Sequence, residues 1–246
     1  MNDLFSLREA EIFETLKGLA ACEFVVIGGY AVNAYALPRF SVDCDLVLQD
    51  EDGLRMVERA LVKRGYVNAT EPEEAAYAGS FSRWEKRLAN DFTVSMDLLI
   101  GSVTDRTTGA SFTAEWIFKH SSRRVLRGKT FTEELKVRII DCNALIVMKI
   151  IAGRATDIRD VFMMIPNVKE KKWIGTEIAA RYDAHDRIEK LLEKVASKQF
   201  KDGLAGVYGR IDQKTFDKHQ KAITNLQTPP ARHSHQQVVT AKRSGK

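Results

Sequence analysis

The sequence predicts an α+β chain in which strands and helices share residues 1–140, helices make up residues 141–226, and residues 227–246 form a disordered basic tail. Three observations predict it. Phe24–Leu48 holds two apolar runs separated by a double glycine and a helix-like segment. Phe81–Leu88 and Phe92–Ile100 have strand composition, and Phe92, Val94 and Met96 alternate with Thr93, Ser95 and Asp97. From Trp173 to Leu226 the apolar residues Ile178, Ile188, Leu191, Leu192 and Val195, with Arg181, recur at helical spacing, broken near Gly203–Gly209.

In chain order, Ser6 and Glu9 stand at capping-box spacing ahead of Leu7, Ile12, Phe13, Leu16 and Leu19, which predicts a first helix. Glu23–Ile27 reads as a strand, Gly28 and Gly29 as its tight exit, and Tyr30–Leu37 as a short helix ended by Pro38. Val42–Leu48 is a second strand. Asp50 caps a helix with Leu54, Val57, Leu61 and Val62 on its buried side, stopping at Gly65. Residues 70–78 are acidic and poorly patterned, a loop or weak helix. Phe81–Leu88 and Phe92–Ile100 are expected to pair, and Ala114–Val125 and Thr130–Ile140 read as further strands or a strand and a turn. Asp141 or Asn143 caps an almost wholly apolar helix through Ile151, in which Lys149 is the only charge before Gly153 and Arg154. A new helix opens at ATDIRD, with Asp157 and Asp160 three residues apart, and Pro166 stops it. No internal repeat is present.

With 44% hydrophobic and 29% charged residues, the chain reads as an ordinary soluble globular protein. The net charge of +5 falls to +1 when the tail cations Arg232, Lys242, Arg243 and Lys246 are set aside, so the pI says little about nucleic-acid binding by the body. A basic patch would need local clustering, which Arg123, Arg124, Arg127 and Lys129 could supply. Cys22, Cys44 and Cys142 are odd in number, widely spaced and beside apolar runs, which fits buried reduced thiols rather than disulfides or a zinc site. Without a signal peptide or a membrane-length apolar run, the expected location is cytoplasmic. His233 and His235 in the tail read as incidental rather than as metal ligands.

The chemistry concentrates at Asp43 and Asp45. Strand alternation places both carboxylates on one face and Cys44 on the other. The run Leu46–Leu48 marks the strand as buried, and buried like charges call for a cation. Gly28 and Gly29 let backbone approach a phosphate, and Arg39 and Ser41 add a cation and a hydroxyl. Magnesium prefers oxygen ligands, commonly a few carboxylates plus substrate phosphates. Asp97 from a neighbouring strand, if buried rather than at a solvent edge, completes a set suited to in-line phosphoryl displacement, as third ligand or as base. Lys149 either reaches in to neutralise a triphosphate or snorkels out of its helix.

GG followed by R-x-S-x-D-x-D and a later strand aspartate resembles the nucleotidyltransferase superfamily of the DNA polymerase β type. Lys149, Arg154, Asp157 and Asp160, as K-x-x-x-x-R-x-x-D-x-x-D, are similar to the AbiEii/AbiGii group within it, which includes toxins of type IV toxin–antitoxin pairs. The resemblance spans about Phe24–Ile165. It implies a small mixed sheet flanked by helices in a catalytic domain over residues 1–140, with a helical C-terminal domain. It also implies Mg²⁺-dependent transfer of a nucleoside monophosphate from an NTP to an acceptor hydroxyl, with an RNA acceptor such as tRNA and an antitoxin protein as expected partners. The sequence departs from the pattern at Cys44, where a branched aliphatic is usual, and at Ser41, where many relatives have threonine. After Gly29 it lacks the arginine and aspartate typical of CCA-adding enzymes. Arg154, Asp157 and Asp160 keep two readings, substrate contact or structure, the latter through the helix dipole and pairing with Arg154 or Arg159. Nucleotidylation of a small molecule such as an antibiotic, and a non-catalytic nucleotide- or partner-binding module, stay open as alternatives.

Overall fold

The structure is a computed structural model describing residues 2–71, 81–89 and 92–226. The expected loop over 70–78 lies mostly outside those residues, and the tail with His233 and His235 lies wholly outside them.

The centre is a seven-stranded mixed sheet. Its strands are β1 (Val25–Val26), β2 (Asp43–Leu48), β3 (Val67–Asn68), β4 (Phe81–Ala89), β5 (Phe92–Ile100), β8 (Ser121–Leu126) and β9 (Leu135–Ile140), in the order β3-β4-β5-β2-β1-β9-β8. β2 runs parallel to β5 and β1 to β9, while the other neighbours are antiparallel. β6 (Ser102–Thr104) and β7 (Ser111–Thr113) form a separate two-stranded ribbon. The expected α+β class and mixed sheet with flanking helices are what the chain adopts.

Helix α1 (Asn2–Gly18) begins ahead of Ser6, so the expected capping box is not formed. The Glu9 carboxylate is recruited elsewhere. It accepts hydrogen bonds from the backbone N–H of Lys129, Thr130 and Phe131 at 2.6, 2.7 and 2.9 Å and from the Thr130 hydroxyl at 2.7 Å. Ile12, Phe13, Leu16 and Leu19 enter the core, whereas Leu7 stays exposed. Helix α2 (Gly28–Val32) is shorter than the predicted Tyr30–Leu37 and starts on the glycines themselves, with turns following it. Helix α3 (Glu51–Lys63) is capped as expected, the Asp50 carboxylate accepting from Gly53 N–H at 2.9 Å. Val57 and Leu61 are buried, but Val62 faces solvent.

Residues 114–119, expected as strand, form helix α4 (Ala114–Lys119), because the Thr113 hydroxyl accepts from Trp116 N–H and starts a turn. Asp141 precedes α5 (Cys142–Ala152) as predicted, yet makes no cap bond. Its carboxylate accepts instead from Ser122 at 2.8 Å and Arg124 at 3.1 Å. Gly153, at φ +63°, turns the chain into α6 (Ala155–Met164), and Pro166 lies in the 3₁₀ turn that ends it.

The C-terminal helices are α7 (Lys171–Ala179), α8 (Ala184–Ala196), α9 (Lys198–Tyr208) and α10 (Gln213–Thr224). The expected break at Gly203–Gly209 is displaced. Gly203 and Gly206 lie inside α9, and only Gly209 ends it. The interruptions come instead where Asp183, Ser197 and Asp212 cap the next helix. One hydrophobic cluster runs from α1 and the sheet through α5 and α6 to Ile223 in α10.

All three cysteines are free thiols, with Cys44 and Cys142 buried and Cys22 partly exposed rather than buried. The basic cluster is laced with acids: Arg124 bridges to Asp141 and Arg127 to Glu134. No helix among the described residues is long and apolar enough to cross a membrane.

Candidate active site

Period-two alternation along β2 sends Cys44 wholly into the core and presents Asp43 and Asp45 together on the opposite face, each partly exposed. The parallel register with β5 sets Asp43 against Ser95, Cys44 against Met96 and Asp45 against Asp97. Asp97 is 5% exposed, so it stands buried beside the pair rather than at a solvent edge. On its other side, β4 places Arg83 directly opposite Asp97. The guanidinium forks onto the carboxylate, Nε to Oδ1 at 2.9 Å and Nη2 to Oδ2 at 2.8 Å.

These groups line a cavity of about 570 Å³ together with Gly28, Lys149, Arg154 and Asp157. Phe81, Leu99, Val103, Phe112 and Met148 supply apolar lining. Gly28 has φ +63°, and a Cβ there would run into Asp45 Oδ2. The first glycine is therefore required by the carboxylate beneath it as well as by its backbone conformation.

Burial, then the charges of Asp43 and Asp97, push the Asp45 carboxyl up to about 7, against the downward pull of Lys149 and Arg154. Such crowding of negative charge is what a cation relieves. Among the described residues no group of three or more His, Cys, Asp and Glu side chains forms a ready metal cage, and Arg83 already occupies Asp97. Asp43 and Asp45 alone fit magnesium, which is commonly held by one or two carboxylates plus phosphate oxygens.

Lys149 does not snorkel. It is 5% exposed, its Nζ lying 2.9 Å from Asp157 Oδ1 and 2.9 Å from Asp160 Oδ2. Burial alone would lower the ammonium's pKa, but Asp160 and Asp157 outweigh burial and raise it, so it stays charged beside the cavity. Among the described residues, the buried Asp157 Oδ2 has no hydrogen-bond partner. Asp160 is fully engaged: Arg39 donates Nε to Oδ1 and Nη2 to Oδ2, both at 2.7 Å, and Tyr208 donates to Oδ1 at 2.7 Å. Burial would raise Asp160, yet Lys149 and Arg39 hold it below the usual carboxylate range.

The predicted residues therefore divide. Asp43, Asp45, Asp97, Lys149, Gly28, Arg154 and Asp157 meet at the cavity. Gly29, Arg39, Ser41 and Asp160 stand outside its lining: Gly29 packs against Ser41 and Arg39, and the Arg39 fork is taken by Asp160. The structural reading that paired Asp157 and Asp160 with Arg154 or Arg159 is corrected, since their partners are Lys149 and Arg39. Arg154 reaches Asp105 at 3.2 Å and Arg159 the Gly203 carbonyl at 3.2 Å. Arg83, Asp105 and Arg106, which also line the cavity, and Tyr208, which donates to Asp160, were not foreseen. The charge complementarity of Arg83 and Asp97 across a hairpin was a usable signal, whereas nothing near Tyr208 marks it.

No family profile matches the chain, and no curated protein matches it. Among solved structures, the chain is similar to a candidate nucleotidyltransferase from Helicobacter pylori at 16% identity and a TM-score of 0.47, covering 89% of this chain and 92% of that one. It is likewise similar to JHP933 from Helicobacter pylori, at 16% identity and a TM-score of 0.47, over 92% of each chain. Likeness at that level leaves the activity to be reasoned from the residues.

Proposed function

We propose that the chain is a nucleotidyltransferase that moves a nucleoside monophosphate from an NTP to an acceptor hydroxyl, with magnesium held by Asp43 and Asp45. The observation that carries this reading is the convergence on one cavity of Asp43, Asp45 and Asp97 with Lys149 and Arg154, whose charges act on Asp45. In the reaction, the acceptor oxygen bonds to the α-phosphorus, the bond to the bridging oxygen breaks, and pyrophosphate leaves with that electron pair. Lys149, kept charged and immobile by Asp157 and Asp160, neutralises phosphate oxygens. Apolar lining such as Phe112 and Met148 shields the nucleoside from water. Asp97, oriented by Arg83, is the third carboxylate and accepts the proton that the attacking hydroxyl loses. When bound, magnesium would supply charge neutralisation and alignment of the phosphates.

An RNA acceptor such as tRNA, a toxin role and an antitoxin partner rest on the motif resemblance alone. Incubation with each of the four α-labelled NTPs, magnesium and separate pools of tRNA, protein and aminoglycoside tests the reading. Label is expected in one pool and absent with the Asp43→Ala, Asp45→Ala double variant, and equal transfer by that variant would overturn the assignment. The fork of Arg83 on Asp97 favours a second reading, nucleotide binding without transfer. Unchanged NTP binding in EDTA with no label in any pool would select it.

A further inference from the structure

At the amino end of α5 a second cavity, of about 650 Å³, lies among Tyr35, His120, Arg124, Asn143, Lys169 and Trp173. Asn143 and Lys149 are six residues apart on that helix, roughly 9 Å along its axis at about 1.5 Å per residue. The cavity is thus separate from the carboxylate site but shares a rigid element with it.

Its aromatic wall is fixed from behind. Trp173 stacks on Trp116 with ring centroids 6.2 Å apart and planes 7° from parallel. His120 sits against both indoles, at 5.1 and 4.8 Å. Trp116 is itself held, its Nε1 donating to Glu177 at 3.0 Å while the Arg181 guanidinium lies over the ring at 4.7 Å. Trp173 is therefore a pre-organised platform bordering an open space. Among the described residues, the His120 ring nitrogens and the Asn143 amide have no hydrogen-bond partner, although both residues line the same space. The charges of Arg124 and Lys169 are matched there by Asp141 and Glu170, so the lining favours neither an anion nor a cation.

A flat aromatic platform, an unused amide with both donor and acceptor, an unused imidazole and balanced charge describe a pocket for a planar heterocycle with a polar edge. A purely apolar ring would leave the amide and imidazole unpaired on desolvation. We propose that this cavity binds a nucleobase, stacked on Trp173 with its edge hydrogen-bonded by Asn143 and His120. The base comes from a free nucleoside or from an unpaired position of a single-stranded nucleic acid, and its binding does not depend on the transfer reaction.

Equilibrium dialysis of the full chain in EDTA tests this, with the four labelled nucleosides in one arm and a mixed-sequence RNA tetranucleotide in the other. Saturable binding is expected in at least one arm: in the nucleoside arm the source is a free base, in the tetranucleotide arm alone it is a single strand. Trp173→Ala and Asn143→Ala should each weaken it about tenfold, the scale of one stacking or edge contact. The Asp43→Asn, Asp45→Asn double variant should retain it. Should Trp173→Ala fail to fold, Trp173→Leu and the surface change Asn143→Ala decide the matter. Absence of saturable binding in both arms, binding that survives the Trp173 and Asn143 changes, or binding lost in the carboxylate double variant would overturn the proposal.

Discussion

Asp45 on β2 and Asp97 on β5 are register partners across a parallel strand pair, two carboxylates brought side by side by backbone pairing alone. Asp43, two residues before Asp45, adds a third charge to the same face. The fold tolerates that crowding by raising the Asp45 carboxyl and by surrounding the face with ion pairs, and each device has a measurable consequence.

In the metal-free chain, the Asp45 carboxyl is raised to about 7 by burial and by its carboxylate neighbours, while in the unfolded chain it titrates near the ordinary value of 3.8. The folded state therefore holds the extra proton between those limits. Its favourable contribution is complete below the unfolded value and is lost as pH rises through about 7. Thermal unfolding in EDTA should show this decline, and Asp45→Asn should flatten it while raising the midpoint at pH 8. An unchanged pH profile in Asp45→Asn would show that the decline originates at another group.

Magnesium should stabilise the parent through the same carboxylates. A ligand that binds only the folded state at about a hundred times its Kd adds about 2.7 kcal/mol. Calorimetric midpoints with and without magnesium should differ in the parent and coincide in the Asp43→Asn, Asp45→Asn double variant.

Gly28→Ala should destabilise the fold, because the new methyl group meets Asp45 Oδ2 and the backbone there has φ +63°. The left-handed conformation alone costs about 1–2 kcal/mol for a residue with a side chain. In an Asp45→Ala background the cost should fall toward that conformational part. A double-mutant cycle by urea unfolding reads the difference, and purely additive effects would show that the contact is not what excludes a side chain.

Asp160→Ala should be among the most damaging single changes outside the apolar core. It leaves Arg39 and Lys149 buried without their shared counter-charge, and breaking such a pair by removing one partner costs about 3–5 kcal/mol. Tyr208→Phe removes only one hydrogen bond to the same carboxylate and should cost about 1.5–3 kcal/mol. Guanidinium unfolding of both variants and their combination checks the order, and the combined loss should be less than the sum because Asp160→Ala already deletes the Tyr208 contact.

Glu9→Gln should loosen the loop ahead of β9, since one carboxylate accepts from three consecutive backbone N–H groups and a hydroxyl there. Amide exchange at Lys129, Thr130 and Phe131 should accelerate well beyond that of the sheet. Unchanged protection of those three amides would remove Glu9 from this role.

The features legible along the chain are those that short-range geometry controls. Alternation put Asp43 and Asp45 on one face of β2 and turned Cys44 inward, Asp50 started α3, and the almost wholly apolar run ahead of Gly153 marked α5 as a helix. Each depends on residues a few positions apart, where strand and helix periods act directly. Tertiary structure alone decided the rest. It chose which strand lies beside β2, and so whether Asp97 joined the pair. It gave the Arg39 fork to Asp160, 121 residues away, although the local pattern read Arg39 as a phosphate holder. It turned Lys149 from a lysine free to snorkel into one buried between two aspartates. It brought in Tyr208 from a helix with no motif. Buried charges take whichever partners the packed elements present, and that choice depends on the closure of the whole core rather than on spacing along the chain.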